Sequence, residues 1–440
     1  MTARLRVGLL TMKRFISLCM LASLPLLMTS ATYGWANHYL FNRPALEVLP
    51  ELANAPKVKV EALEDFLLKE QAGLIALMAQ IENDAKLTYA KSAPQPEALA
   101  FKGGDAKTIR NNFLRALRVN TGTPLGYFLQ AMPGQPLGGK ASNPNTVSIF
   151  GDKDLKGIYS FYDVRKGDMV SPVEVVSTAG DEPDFGLDIN LFTDNGEQFG
   201  KDYGFGTQSF GDAKLYYGTQ APFHIGYYHE SGIIFMAAGF LKKTYPRYRV
   251  HQYTSLARFA FKTGHPYWGY RFLGWGLHYV GDLTQPYHAR VLPTYGTMGM
   301  LWINIKAMVG FDKAKLDAID RISKRHTTIE NYHRSTLAKA YAQKNLQHPF
   351  IQGMRKTDKD KTYAAFSDDY IVDATAKESY GFSDKVDELI DQSNLLQSFS
   401  DGNELPIQNT KALEELDTTI IQLMEGAGAH LRNYVRAGMQ

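Results

Sequence analysis

The sequence predicts a mainly α fold, one helical domain carrying a loop-rich insertion. Three observations lead there. Apolar residues recur at helical spacing from Lys59 to about Ala90 and again near the C-terminus. The run "YWGYRFLGWGLHYVGDL" is aromatic or aliphatic nearly all round, which marks a buried helix. Between Asn120 and Phe223, Gly and Pro become dense, Asp and Asn are common, and the helical period fades into loops.

The elements follow in chain order. Lys13 and Arg14 precede the apolar "FISLCMLASLPLLM" and the small, polar "TSATYG". A charged start, a short apolar middle and a small-residue exit predict a secretory signal peptide over residues 1–34, too short for a comfortable membrane span. Pro44 suits the first turn of a helix. Within 59–90, Leu63, Phe66, Leu67, Leu74, Leu77, Met78 and Ile81 are expected to face inward. A second helix is expected from Asp105 to Val119, and short strands near "MVSPVEVVST" inside the insertion, residues 120–223. Helices should resume near Ile225 and run through Tyr287, with Pro286 stopping the buried one. A further helix is expected over Lys313 to Asn345, and an amphipathic one from Ala412 to about Arg436. The sequence thus divides into a signal (1–34), a core domain (35–345) and a C-terminal helical extension packed on it (346–440). It contains no internal repeat.

A chain of 440 residues can bury a full core, and with 44% hydrophobic and 21% charged residues disorder is not the default. Removing residues 1–34 takes the basic residues from 48 to 44 against 45 acids, so the formal charge changes from +3 to −1. That balance offers no general electrostatic attraction to nucleic acid. The only cysteine, Cys19, lies in the signal, so the mature chain has no disulfide or thiol chemistry. Any metal site must use His, Asp, Glu or backbone groups. The Gly-rich stretches lack the Walker and dinucleotide patterns.

Candidate ligands are concentrated in "WGLHYVGDLTQPYHARV". His278 and Asp282 are four apart and share one face of a helix, where burial is costly unless something pairs with them. His288 follows just past the break. His326 and Glu330, in "RHTTIENYH", repeat the four-residue spacing. Cleavage after Gly34 would expose the α-amino group of Trp35, a readier nitrogen ligand than a lysine, with His38 three residues on. "AGDEPDFGLD" and "QAPFHIGYYHE" add Asp184 or Asp188 and His224 or His229. A His–Asp hydrogen bond within a helical core is the competing explanation for the first pair.

This pattern resembles the zinc-dependent phospholipase C and S1/P1 nuclease superfamily, whose core motif reads H-Y-x-G-D-x-x-x-P-x-H with a downstream H-x-x-x-E. "HYVGDLTQPYHA" and "HTTIE" match it. The resemblance implies a helical phospholipase C/P1 nuclease-like core and three zinc ions. Trp35 and His38 would hold one ion, with Asp282 bridging it to a second held by Asp184, His224 and His278; His288, His326 and Glu330 would hold the third. It implies phosphoester hydrolysis by metal-activated water, with Asp184 or Glu330 taking the proton. "PYHA" and the cysteine-free mature chain favour an exported phospholipase C, periplasmic or secreted. Its partner would be phospholipid at a membrane or micelle surface, with no nucleic acid and no protein partner inferred. A single-strand nuclease or 3′-nucleotidase on the same scaffold is the alternative. The insertion "VLPTYGTMGMLWINIKAMVGF" is either a lipid-engaging surface or a buried helix or hairpin, and Tyr287 could pack on a choline or a base.

Overall fold

The computed structural model describes residues 37–151, 159–211, 213, 217–399, 406–408 and 410–440. The segment read as a signal peptide and Trp35 lie outside these residues. The described chain is mainly helical, with two small antiparallel ribbons. These pair β1 (Val58–Lys59) with β4 (Met169–Val170) and β2 (Phe128–Gln130) with β3 (Phe161–Asp163).

Helix α1 (His38–Leu46) starts behind Asn37, whose left-handed backbone and side-chain oxygen cap the first turn. Pro44 lies well inside α1, not in its first turn. The helix begins earlier because Asp181 accepts hydrogen bonds from the backbone N–H groups of His38 and Tyr39, at 2.6 and 3.0 Å. The expected 59–90 helix divides into α2 (Leu63–Lys69) and α3 (Gln71–Asp84), because Glu70 leaves helical geometry at φ −102°, ψ 15°. Of its predicted inward residues all are buried except Leu77, which is half-buried. Helix α4 (Ile109–Leu117) lies inside the expected 105–119 span.

The stretch expected to form strands is mostly helical. Only Met169–Val170 pairs as a strand, and α5 (Pro172–Ala179) follows, opened by Pro172 at its first turn. The valines of α5 favour strands locally, but burying Val175, Val176 and Ala179 against a neighbouring helix overrides that preference. Short helices α6 (Ala221–His224) and α7 (Gly232–Ala237) lead to the centre of the fold.

The centre is the pair α8 (Pro246–Lys262) and α9 (Pro266–Asp282), each started by a proline that needs no N–H partner there. Helix α9 is buried from Tyr267 to Asp282, including Trp268 and Trp275. It ends at Asp282, and Pro286 opens the next turn, α10 (Pro286–Ala289), instead of stopping α9. Then come α11 (Thr297–Met308), α12 (Lys313–Ala342), α13 (Pro349–Arg355), α14 (Lys377–Gln392) and α15 (Lys411–Gly438).

Helix α15 packs on α1, α9, α13 and α14. Leu416, Ile420, Met424, Leu431 and Tyr434 share one continuous core with Leu40 and Phe41 of α1. Helices α13, α14 and α15 therefore pack on the expected core domain and share its apolar interior.

Candidate metal centre

The centre forms where the C-terminal end of α9 meets α1, α6, α10, α12 and the acidic turn after α5. His278 and Asp282, one turn apart on α9, place Nε2 and Oδ2 3.2 Å apart. Gly281, between them, lets α1 approach: a Cβ there would stand 3.2 Å from His38 Nδ1. His38 thus brings Nε2 to 3.4 Å from Asp282 Oδ1. From α6, His224 Nδ1 comes 2.9 Å from Asp282 Oδ2 and 3.7 Å from Asp184 Oδ1. His288, on α10, faces His326 and Glu330 of α12; the last two are 2.6 Å apart across one helical turn. All eight of these predicted side chains are buried.

Their donor atoms fall into three groups: His38, Asp184 and His278; His224, His278 and Asp282; and His288, His326 and Glu330. The third matches the expected grouping. The first places His38 with Asp184 and His278, whereas the resemblance grouped it with Trp35 and Asp282. Asp282 lies between the groups, with Oδ1 3.7 Å from His288 Nδ1.

The acidic turn is fastened acid by acid. Asp181 holds the start of α1, as above. Glu182 accepts from Arg271 Nε at 2.9 Å and Trp275 Nε1 at 2.6 Å, tying the turn to α9. Asp184 Oδ1 accepts from Gln220 Nε2 at 2.9 Å, and its Oδ2 accepts no hydrogen bond. Asp188 turns away from the centre: it pairs with Arg249 at 2.7 Å, accepts from Tyr279 and lies 3.5 Å from His224 Nε2, opposite the ring edge that faces the centre. His229 is also elsewhere, bonded to the Val372 carbonyl at 2.8 Å. Tyr287 is buried beneath His326, with its hydroxyl donating to Asp387, so it offers no open stacking face.

The other ring nitrogens are anchored. His278 Nδ1 is 2.7 Å from the Gly180 carbonyl oxygen, and His288 Nδ1 is 2.8 Å from that of His224. These contacts set ring orientation and aim each Nε2 inward. Asp188, Asp181, Gln220 and Gln285, which donates to Glu330 at 3.2 Å, were not singled out as supports from sequence. The density of acids in "AGDEPDFGLD" is the only sequence signal for the two aspartates, and nothing local in the sequence marks the two glutamines.

The electrostatics fit a cation. Burial pushes the Asp282 carboxyl up, but His278, His224 and His288 outweigh it and hold the group well below the usual carboxylate range. Burial pushes His224 down, yet Asp282 and Asp188 raise it to about 10. Burial dominates at His38 and His288, which stay below the ordinary histidine value, and at Glu330, which lies well above the ordinary carboxylate one.

Donor geometry points the same way. His278 Nε2 and His224 Nδ1 face each other at 2.9 Å, as do His288 Nε2 and His326 Nε2 at 3.1 Å. Both Asp282 oxygens and both His38 nitrogens are buried, and the imidazole nitrogens 2.9–3.4 Å from Asp282 do not meet its oxygens in hydrogen-bond alignment. Such groups are costly to bury unless another species satisfies them. Converging imidazoles and carboxylates without sulfur could hold metal ions and are compatible with zinc. Comparison of the chain with protein-family models, with curated proteins and with solved structures returned no match.

Proposed function

We propose that this protein is an exported zinc-dependent phosphodiesterase of the phospholipase C type, cleaving glycerophospholipids to diacylglycerol and a phosphorylated headgroup. The observation that carries the reading is the buried convergence of His38, Asp184, His224, His278, Asp282, His288, His326 and Glu330 around one helix end. With the amine and carbonyl of Trp35, these residues would hold the ions. Bound zinc would supply activated water and charge stabilisation for in-line displacement at phosphorus.

The chain's own groups supply position and proton transfer. Gln220 fixes one oxygen of Asp184, which leaves Oδ2 to accept the proton of the attacking water. Glu330, held by Gln285, is the second candidate for that role. Burial of the whole cluster limits competing water. The substrate class rests on the "PYHA" ending of the motif and the cysteine-free mature chain.

The test is turnover by the zinc-loaded chain beginning at Trp35, on phosphatidylcholine vesicles and on single-stranded DNA, with chelated controls. Chelator-sensitive phosphocholine release without DNA cleavage is expected. Asp184→Asn should lower turnover by about 10²-fold or more while melting behaviour is kept. DNA cleavage alone would replace the substrate with single-stranded nucleic acid. Stoichiometric zinc without turnover on either substrate would leave a metal-holding structural protein.

A further inference from the structure

The Val291–Phe311 insertion turns an apolar face outward. Along α11 and its C-cap residue, Met298, Trp302, Ile305 and Val309 recur at steps of four, three and four, which places the first three in one stripe that Val309 continues. A surface helix of a globular protein turns such a stripe to the core and a polar face to water. Here the inward side is also apolar, with Met300 and Leu301 closing a small cavity against α7 and α12. The outward stripe stays open: Met298 is 75% exposed, Trp302 58% and Val309 65%. Phe311, just beyond the helix, is 69% exposed, and α7 packs beside α11 and adds exposed Ile233 and Met236.

Charge distinguishes the possible occupants. Residues 231–243 and 291–317 carry five lysines and two acids, in a chain whose residues 35–440 are net negative by one. Lys306 lies over the Trp302 ring at 5.3 Å, its ammonium group above an apolar surface. Tryptophan beside lysine on an apolar helix suits the boundary between headgroups and acyl chains. Lys306 and Lys313 line the outward groove beside Trp302 with one acid, Asp317, so a second copy docking through the same face about a two-fold axis would bring two faces with an excess of lysine together, which opposes that pairing.

We infer that this face docks on an anionic phospholipid bilayer, with α11 lying in the headgroup region. Among the described residues no helix is long and apolar enough to cross a membrane. The chain enters this face three residues after His288 and returns along α12 to His326, linking the docking surface to the metal centre. Delivery of lipid to that centre rests on the phospholipase reading above; docking itself does not.

The experiment is co-sedimentation of the chain beginning at Trp35 with phosphatidylcholine vesicles, with and without phosphatidylglycerol. Binding should be tighter with phosphatidylglycerol and weaken with salt. Trp302→Ser combined with Phe311→Ser should reduce partitioning on the order of tenfold or more. Lys306→Glu with Lys313→Glu should remove the preference for anionic vesicles. Both variants should keep wild-type melting, zinc content and cleavage of a dispersed short-chain lipid.

Wild-type protein that stays in the supernatant, or apolar variants that bind equally, would overturn docking. So would a wild-type dimer in sedimentation velocity that the serine variant turns to monomer, because a second copy would then cover the face. Vesicle binding with no cleavage of the short-chain lipid would uphold docking and remove the phospholipase reading.

Discussion

Asp188 stands behind the converging donors, with Arg249 bonded to Oδ1 and His224 Nε2 near Oδ2. A carboxylate behind a ligating imidazole fixes the ring and raises its basicity. Asp188→Asn keeps the shape and removes the charge, which leaves Arg249 buried without its anion. Zinc titration of this variant should show affinity lowered about 10–100-fold. Chemical denaturation should show a loss of about 3–5 kcal/mol. Unchanged zinc affinity would mean that Asp188 serves Arg249 alone. From sequence, Asp184 and Asp188 were alike: both lie in one short acidic turn, and only the side of His224 that each faces separates them.

At the scale of elements, the contact between α5 and α9 sets where the acidic turn lies relative to His278. Gly274 makes that contact close: a Cβ there would stand 2.5 Å from Ala179 Cβ and 2.6 Å from the Val176 carbonyl. Backbone cannot give way as a flexible side chain can, so Gly274→Ala must push the helices apart. A loss of about 1–3 kcal/mol is expected, read as a lower thermal midpoint. An unchanged midpoint would show that α5 can shift without cost. The same contact explains why "VEVVSTA" folds as a helix: its valines suit a pleated strand, but the helix presents Val176 and Ala179 together to Gly274 of α9 while burying Val175.

For the whole molecule, the division at residue 345 has a direct test. Asp387 of α14 accepts from Tyr287 beside His288 and bonds Arg321 and Arg325 on the helix that carries His326. Helix α15 meanwhile completes the core around α1 and α9. A chain ending at Asn345 is therefore expected to lose cooperative thermal unfolding and stoichiometric zinc binding. A truncated chain that melts cooperatively and holds zinc would show that residues 346–440 are an appendage.

Sequence alone was sufficient for α12 and α15 and for pairing His278 with Asp282 and His326 with Glu330, because helical periodicity is local and four-residue spacing puts side chains on one face. It also placed His288 beyond a break. Local pattern could not determine that Pro44 lies inside a helix, that α9 ends before Pro286 opens the next turn, or that residues 169–178 are mostly helical. Those outcomes depend on partners distant in the chain: Asp181 for α1, and α9 for α5. Nor could spacing bring His38, Asp184 and His224 to α9, since no short-range period connects residues so far apart. Only tertiary packing decided that convergence, by burying polar side chains where they face one another.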